Sequence, residues 1–130
     1  MDTAAGFTVK FHRANEAHGH DYYEACLQGS VTYNTIGEVI RAIRAQPDFD
    51  QQGYVLWDIR KCDPTGITFQ ETTNAVSIEN RVPMHIKAAM LYETEFQLAI
   101  IRQVIHLASL IDLDRFLFTQ DEAAARNWVS

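Results

Sequence analysis

Four times along this chain Thr-x-x-Glu or Thr-x-x-Gln follows a short β-prone run: Thr35 to Glu38, Thr68 to Glu71, Thr94 to Gln97 and Thr119 to Glu122. The spacing is that of a capping box, in which the Thr hydroxyl and the Glu or Gln side chain satisfy free amides at a helix start. One match carries little. Four, each just after a strand-like run, impose an alternation of strand and helix. Such a chain returns each strand to one sheet through a helical crossover, so the sheet is largely parallel and the crossovers right-handed.

The strands are read from apolar periodicity. Phe7, Val9 and Phe11 alternate with Thr8, Lys10 and His12, which gives an edge strand with one apolar face. The polar residues 13–21 read as a hairpin connection, so this first strand runs antiparallel to the second, residues 22–27, which Gly29 and Ser30 close. Residues 53–59 form the third strand. Its run Tyr54-Val55-Leu56-Trp57 is apolar on both faces and belongs at the centre of a helix-covered sheet. Residues 86–92 and 115–118 supply the fourth and fifth.

Helices follow from residue 35, from 68 to about 81, from 94 to about 109 and from 119 to about 128. The first carries Ile36, Val39, Ile40 and Ile43 at helical spacing, and Pro47 ends it by disfavouring helical geometry at Gln46. The expected fold is therefore α/β, in the order β-β-α-β-α-β-α-β-α, as a single domain spanning residues 1–130. A chain of 130 residues with a hydrophobic fraction of 47% can bury such a core.

Charge and motifs narrow the function classes. A net charge of -6 argues against general affinity for nucleic acid or an anionic membrane surface. The most apolar stretch, residues 98–111, is too short to span a bilayer and is broken by Arg102, Gln103 and His106. The two cysteines, Cys26 and Cys62, form no CxxC pair, so a reduced cytoplasmic setting is expected. The chain has no GxGxxG, GxxxxGK[ST] or GxSxG, so no nucleotide cofactor and no hydrolase nucleophile is indicated.

The best location for function is the polar segment after the third strand, with Asp58, Arg60, Asp63, Thr65 and Gly66, read as a loop at the carboxyl edge of the sheet. Asp58 is either a strand-end functional carboxylate or a structural partner of Arg60. A receiver-type phosphoacceptor is rejected, because the first strand ends in Phe11-His12-Arg13 and lacks the acids that would bind magnesium. Asp63-Pro64-Thr65-Gly66 has the signature of a type I turn, and also reads as a phosphorylation or partner-docking loop. Cys62 adjoins it without a paired base. His18, His20 and Asp21 are chemically capable of binding a metal but have no clear further ligand, so no metal site is assigned. The helix from residue 94 is apolar around most of its circumference, with Phe96, Ile100, Ile101 and Ile105 among its residues. A helix on a sheet needs one apolar stripe. The surplus suggests a subunit interface or an apolar ligand, with Arg102 available to an acidic group.

The order of elements resembles the SpoIIAA-like fold of STAS domains, the anti-anti-sigma regulators. More closely it resembles small bacterial SpoIIAA-like or STAS/SEC14 domain proteins. The residues that carry this are Val55 to Arg60, Lys87 to Met90, Arg102, and Phe118 to Ala123 with Trp128. STAS regulators carry Asp-Ser-Ser-Gly after the third strand, with the serine next to glycine phosphorylated by a partner kinase. Asp63-Pro64-Thr65-Gly66 stands in the comparable place, with Pro64 and Thr65 replacing the serines, so the resemblance puts Thr65 at the phosphoacceptor position. The expectation is a non-catalytic binding or regulatory module acting through protein contacts around residues 58–68, self-associating as a homodimer through the helix from residue 94. The alternative is a carrier of a small lipid-like ligand held between that helix and the sheet. An enzyme using Asp58 and Thr65 is a third, weaker reading.

Overall fold

The protein, seen in a computed structural model, is described over residues 6–13, 21–46, 54–67, 87–108 and 116–130; at residues 33 and 104–108 the description is of the backbone. Five strands form one sheet in sequence order: β1 (Gly6–His12), β2 (Tyr22–Ser30), β3 (Tyr54–Asp63), β4 (Ala88–Leu91) and β5 (Phe116–Thr119). β1 is antiparallel to β2, and the other pairs are parallel. The described helices are α1 (Tyr33–Arg44), α2 (Glu95–Ala108) and α3 (Glu122–Val129), with a short 3-10 turn at Pro64–Gly66. The expected α/β alternation is what forms. The helix expected at 68–81 lies outside the described residues, as do His18 and His20. Among the described residues no helix is long and apolar enough to cross a membrane.

Strand alternation sorts the side chains into two cores. Tyr23, Ala25 and Leu27 of β2 and Val55, Trp57 and Ile59 of β3 pack with Val39, Ile40 and Ile43 of α1 and Ile101 of α2. On the opposite side Tyr22, Leu56, Ala89 and Leu91 pack with Ala125 and Val129 of α3. All four residues of β4 are buried, as a central parallel strand requires. Phe7, Val9 and Phe11 of the edge strand pack on the first core, as their alternation predicts.

Two helix starts differ from the sequence expectation. α1 begins a turn earlier, with Thr32 as its cap: the Thr32 hydroxyl accepts from Thr35 N at 3.3 Å, and Thr35 Oγ1 accepts from Thr32 N at 3.2 Å. A threonine does the reciprocal work assigned to Glu38. α3 is capped by Asp121, whose Oδ1 accepts from Ala123 N at 3.0 Å, while Thr119 Oγ1 accepts from Asp121 N. In both cases a nearer oxygen wins, because the cap must lie beside the first free amides. The box at α2 forms as read: Gln97 N donates to Thr94 Oγ1 at 3.1 Å, and Gln97 Oε1 accepts from Thr94 N at 3.1 Å.

β2 and β3 are both longer than their apolar runs. They stay paired as far as Ser30 opposite Asp63, and Val31 N then donates to Asp63 O at 2.9 Å. Gly29 lies in β2 at φ 74°, a conformation that favours glycine. The segment read as a polar loop from Asp58 to Gly66 is therefore strand through Asp63.

Candidate functional site

Asp58 and Arg60 belong to the ladder and not to a loop, and the ladder is irregular where they sit. Cys26 lies opposite Asp58, yet Gln28, two residues on, lies opposite Lys61, three residues on. β3 thus carries a bulge, which changes which side its residues reach. Ile59 and Cys62 both enter the larger apolar core. Asp58, Arg60 and Lys61 all line one surface cavity of about 190 Å³, together with Thr8, Cys26 and Gln28.

From this bulge a chain of ion pairs crosses the sheet. Asp58 Oδ1 accepts from Arg60 Nε at 3.0 Å and from Arg60 N at 3.1 Å, and Oδ2 accepts from Nη2 at 2.8 Å. Arg60 Nη2 lies 3.3 Å from Glu122 Oε1. Glu122 Oε2 accepts from Arg126 Nε at 2.9 Å. Arg126 then clamps Glu24 through Nη1 at 3.0 Å and Nη2 at 3.2 Å, and Nη1 also donates to the Tyr22 hydroxyl at 3.1 Å. Glu24 Oε1 is 2.8 Å from His12 Nε2, and the Cys26 thiol donates to Glu24 Oε2 at 3.4 Å. His12 stacks on Tyr22 with ring centroids 4.6 Å apart.

Glu24 is 6% exposed, and burial alone would raise its pKa. The Arg126 guanidinium, the Cys26 thiol and His12 outweigh burial and hold the carboxyl at about 2. Arg60 and Arg126 are pushed up chiefly by hydrogen bonds to Asp58 and Glu24 respectively. Burial and then the charges of Glu24 and Asp58 raise the Cys26 thiol, and burial with Asp63 and Asp58 raises Cys62 to about 11. Both thiols are therefore protonated, and weak nucleophiles, near neutral pH. Glu24, Cys26 and Asp58 bring three ligand-type atoms within 4.8 Å of one another. A cation there would have to displace a guanidinium from each carboxylate.

The Asp63-Pro64-Thr65-Gly66 segment is the turn its sequence describes. Asp63 Oδ1 accepts from Thr65 N at 3.0 Å and from Thr65 Oγ1 at 2.8 Å, and Ile67 N donates to Pro64 O at 2.9 Å. The two Thr65 bonds lower the Asp63 pKa. Gly66 is closely packed: a Cβ there would lie 3.3 Å from Thr32 Cγ2 and 3.4 Å from Val31 O, so a larger residue needs the Thr32 side chain to give by a few tenths of an ångström.

No protein-family model matches the sequence, and no curated protein matches it. Among solved structures, the chain is similar to an uncharacterised DUF3478-family protein with a SpoIIAA-like fold from Shewanella loihica PV-4. The TM-score is 0.64 at 15% identity, covering 100% of this chain and 98% of that one. The fold is SpoIIAA-like.

In this SpoIIAA-like sheet the predicted residues separate into two places. Asp58 and Arg60 join the ion-pair chain, while Asp63, Thr65 and Gly66 form the turn at the carboxyl end. On α2 the expected apolar surplus is mostly accounted for. Ile101 is 5% exposed in the main core, Ile100 packs against it, and Arg102 is exposed with its guanidinium 5.7 Å from the Phe118 ring centroid. The side chain of Ile105 lies outside the described residues. Phe96, 52% exposed, is the large apolar side chain left at the surface among the described residues.

Sequence reasoning missed His12, Glu24, Glu122 and Arg126. The available signal was a glutamate inside a β-prone strand, Tyr22-Tyr23-Glu24-Ala25-Cys26-Leu27, since a buried carboxylate needs a cationic partner. It also missed the second role of Gln97. Past Asp58, opposite Leu91, β4 offers β3 no further partner. There the Gln97 amide donates to the carbonyls of Ile59, Arg60 and Cys62 at 3.0, 3.2 and 2.9 Å.

Proposed function

We propose that the protein is a non-catalytic binding module that docks a protein partner at the carboxyl end of the sheet, where the Asp63–Gly66 turn meets the start of α2. The observation that carries this reading is Phe96: a large aromatic half-exposed at the surface, on a helix start that Gln97 fixes to β3. Aromatic side chains on rigid supports are the usual anchors of protein interfaces. Asp63, Thr65, Glu93 and Glu95 are exposed in the same region and would form a polar rim. Asp58, Arg60, Glu122, Arg126 and Glu24 beside the bulge are engaged with one another, which favours a structural over a catalytic use. Phosphorylation of Thr65 would remove its hydroxyl bond to Asp63 and set two negative charges side by side, so it would regulate docking by loosening the turn.

The test compares wild type with Phe96→Asp and Lys61→Gln in quantitative co-purification, and by sedimentation over a range of concentrations. A partner retained by wild type and Lys61→Gln but lost by Phe96→Asp is expected. Concentration-dependent dimerisation lost in Phe96→Asp would identify the partner as a second copy. Equal behaviour of Phe96→Asp and wild type in both assays overturns the reading.

A further inference from the structure

We propose that the cavity beside the β3 bulge is a binding site for a small oxyanion, a phosphate or carboxylate group, held by Lys61 and Arg60. The bulge is the first reason. In a regular strand, consecutive residues point to opposite faces. Here three residues of β3 stand against two of β2, so Ile59 and Cys62 both enter the larger core and Arg60 and Lys61 between them lie on the other side, where both line the cavity. Bulges recur where a strand re-aims a side chain towards a site.

The second reason is the state of Arg60. Its Nε and Nη2 are fixed on Asp58 and its Nη2 also lies near Glu122, so the guanidinium plane is set before any ligand arrives. Nη1 has no acceptor among the described residues. Arg60 therefore offers its Nη1 N–H groups in a fixed plane, as single charge-assisted donors to an oxyanion. Lys61 is exposed and makes no ion pair among the described residues. Asp58 and Glu122 neutralise Arg60, so Lys61 supplies the attracting charge and Arg60 the direction. Gln28, with its neutral amide donor, also lines the cavity, as does Thr8, whose hydroxyl bonds to Cys26. At about 190 Å³ the cavity is smaller than the roughly 300–1,000 Å³ of pockets for drug-sized ligands, so the occupant is small. Cys26, protonated and with its thiol donating to Glu24, contributes no covalent chemistry.

The experiment is an amide NMR titration of the full chain with inorganic phosphate and, separately, with succinate, each at ionic strength held constant with chloride. Saturable shifts centred on Thr8, Gln28, Arg60 and Lys61 are expected, with at least a fivefold weaker apparent affinity in Lys61→Gln. Lys61 is exposed, so this variant keeps the fold, and an unchanged remainder of the spectrum verifies that. Saturation by one probe alone identifies the preferred group, and saturation by both assigns a general oxyanion site. Shifts that fail to saturate, or an affinity unchanged in Lys61→Gln, overturn the proposal. Because Phe96 is not in the cavity, Phe96→Asp leaves the titration unchanged, which keeps this test independent of the docking surface.

Discussion

The two faces of the sheet bury their strands by different means. Under α1 and α2 the face is mostly apolar, with Ala25, Val31, Val39 and Ala88 at 0% exposure, and the buried polar side chains of those helices are Thr35 and Gln97. Its stabilisation is non-directional and scales with area, at about 25 cal/mol per Å² of apolar surface buried. Under α3 the apolar patch of Leu56, Ala89 and Leu91 ends at Glu24, Asp58 and Arg60, and burial there depends on directed bonds. An apolar core tolerates volume-conserving exchange. In a chain of alternating charges the cost of a loss depends on what it leaves behind: losing Arg126 leaves Glu24 buried without its clamp, whereas losing Glu122, whose side chain is 45% exposed, leaves Arg60 on Asp58 and Arg126 on Glu24. The first face therefore provides general stability, and the second fixes the position of α3 and the shape of the cavity.

Removing Arg126 should break this contrast most severely. Arg126→Ala strips Glu24 of its clamp, and an uncompensated buried carboxylate costs about 3–5 kcal/mol. Urea denaturation checks this, and replacing both partners, Glu24→Leu with Arg126→Met, should recover most of the loss. A single-variant cost below about 0.5 kcal/mol would make the network no more than a solvated surface pair.

Acid probes the same face without mutation. The Glu24 pKa falls from 4.5 to about 2 on folding. A depressed carboxylate pKa contributes stability that is present above the unfolded value of 4.5 and lost as pH falls towards 2. At ~1.4 kcal/mol per unit the contribution is on the order of 3 kcal/mol. Denaturation midpoints from pH 6 to pH 2 should fall through this window, and the Glu24→Gln protein should show a shallower slope there. Parallel slopes would locate the acid sensitivity elsewhere.

The smallest effect concerns the seam where β3 outruns β4. Gln97→Ala leaves the carbonyls of Ile59, Arg60 and Cys62 without the amide and should cost about 2 kcal/mol. Gln97→Glu keeps the acceptor for Glu93 N and Thr94 N but loses the donor. It should be at least as costly at neutral pH and should recover on acidification as the carboxyl protonates. Hydrogen exchange at α2 reads the same seam: unchanged protection in Gln97→Ala would show that Ile100 and Ile101 hold the helix alone.

Much of the architecture was legible because it rests on local rules. The run from Tyr54 to Trp57 is apolar on both faces, and a central strand is its ordinary setting. Pro at the second position of Asp63-Pro64-Thr65-Gly66 pre-sets a turn, and Asp63 accepts the following amide from within the same four residues. Helix starts were legible to within a turn. They shifted at Thr32 and Asp121 because several side chains compete to cap and spacing alone does not rank them.

The ion-pair chain was not legible, because its members are distant in sequence. Glu24 and Arg126 are separated by 102 positions, and nothing in either neighbourhood names the other. The extent of β3 was hidden for a related reason. Asp58, Arg60 and Lys61 look like loop residues until β2 pairs alongside them, Glu122 of α3 reaches Arg60, and a bulge turns Arg60 and Lys61 to one side.

The sequence by itself determined the alternation of strand and helix, the central place of residues 54–57 and the turn at Asp63 to Gly66, since each depends on periodicity or on neighbours within four positions. The tertiary structure decided that polar residues continue a strand, that Gln97 closes the open side of β3, and that Phe96 rather than Ile101 meets solvent. Those outcomes depend on which distant groups are brought close enough to replace water. Only the folded chain sets that distance.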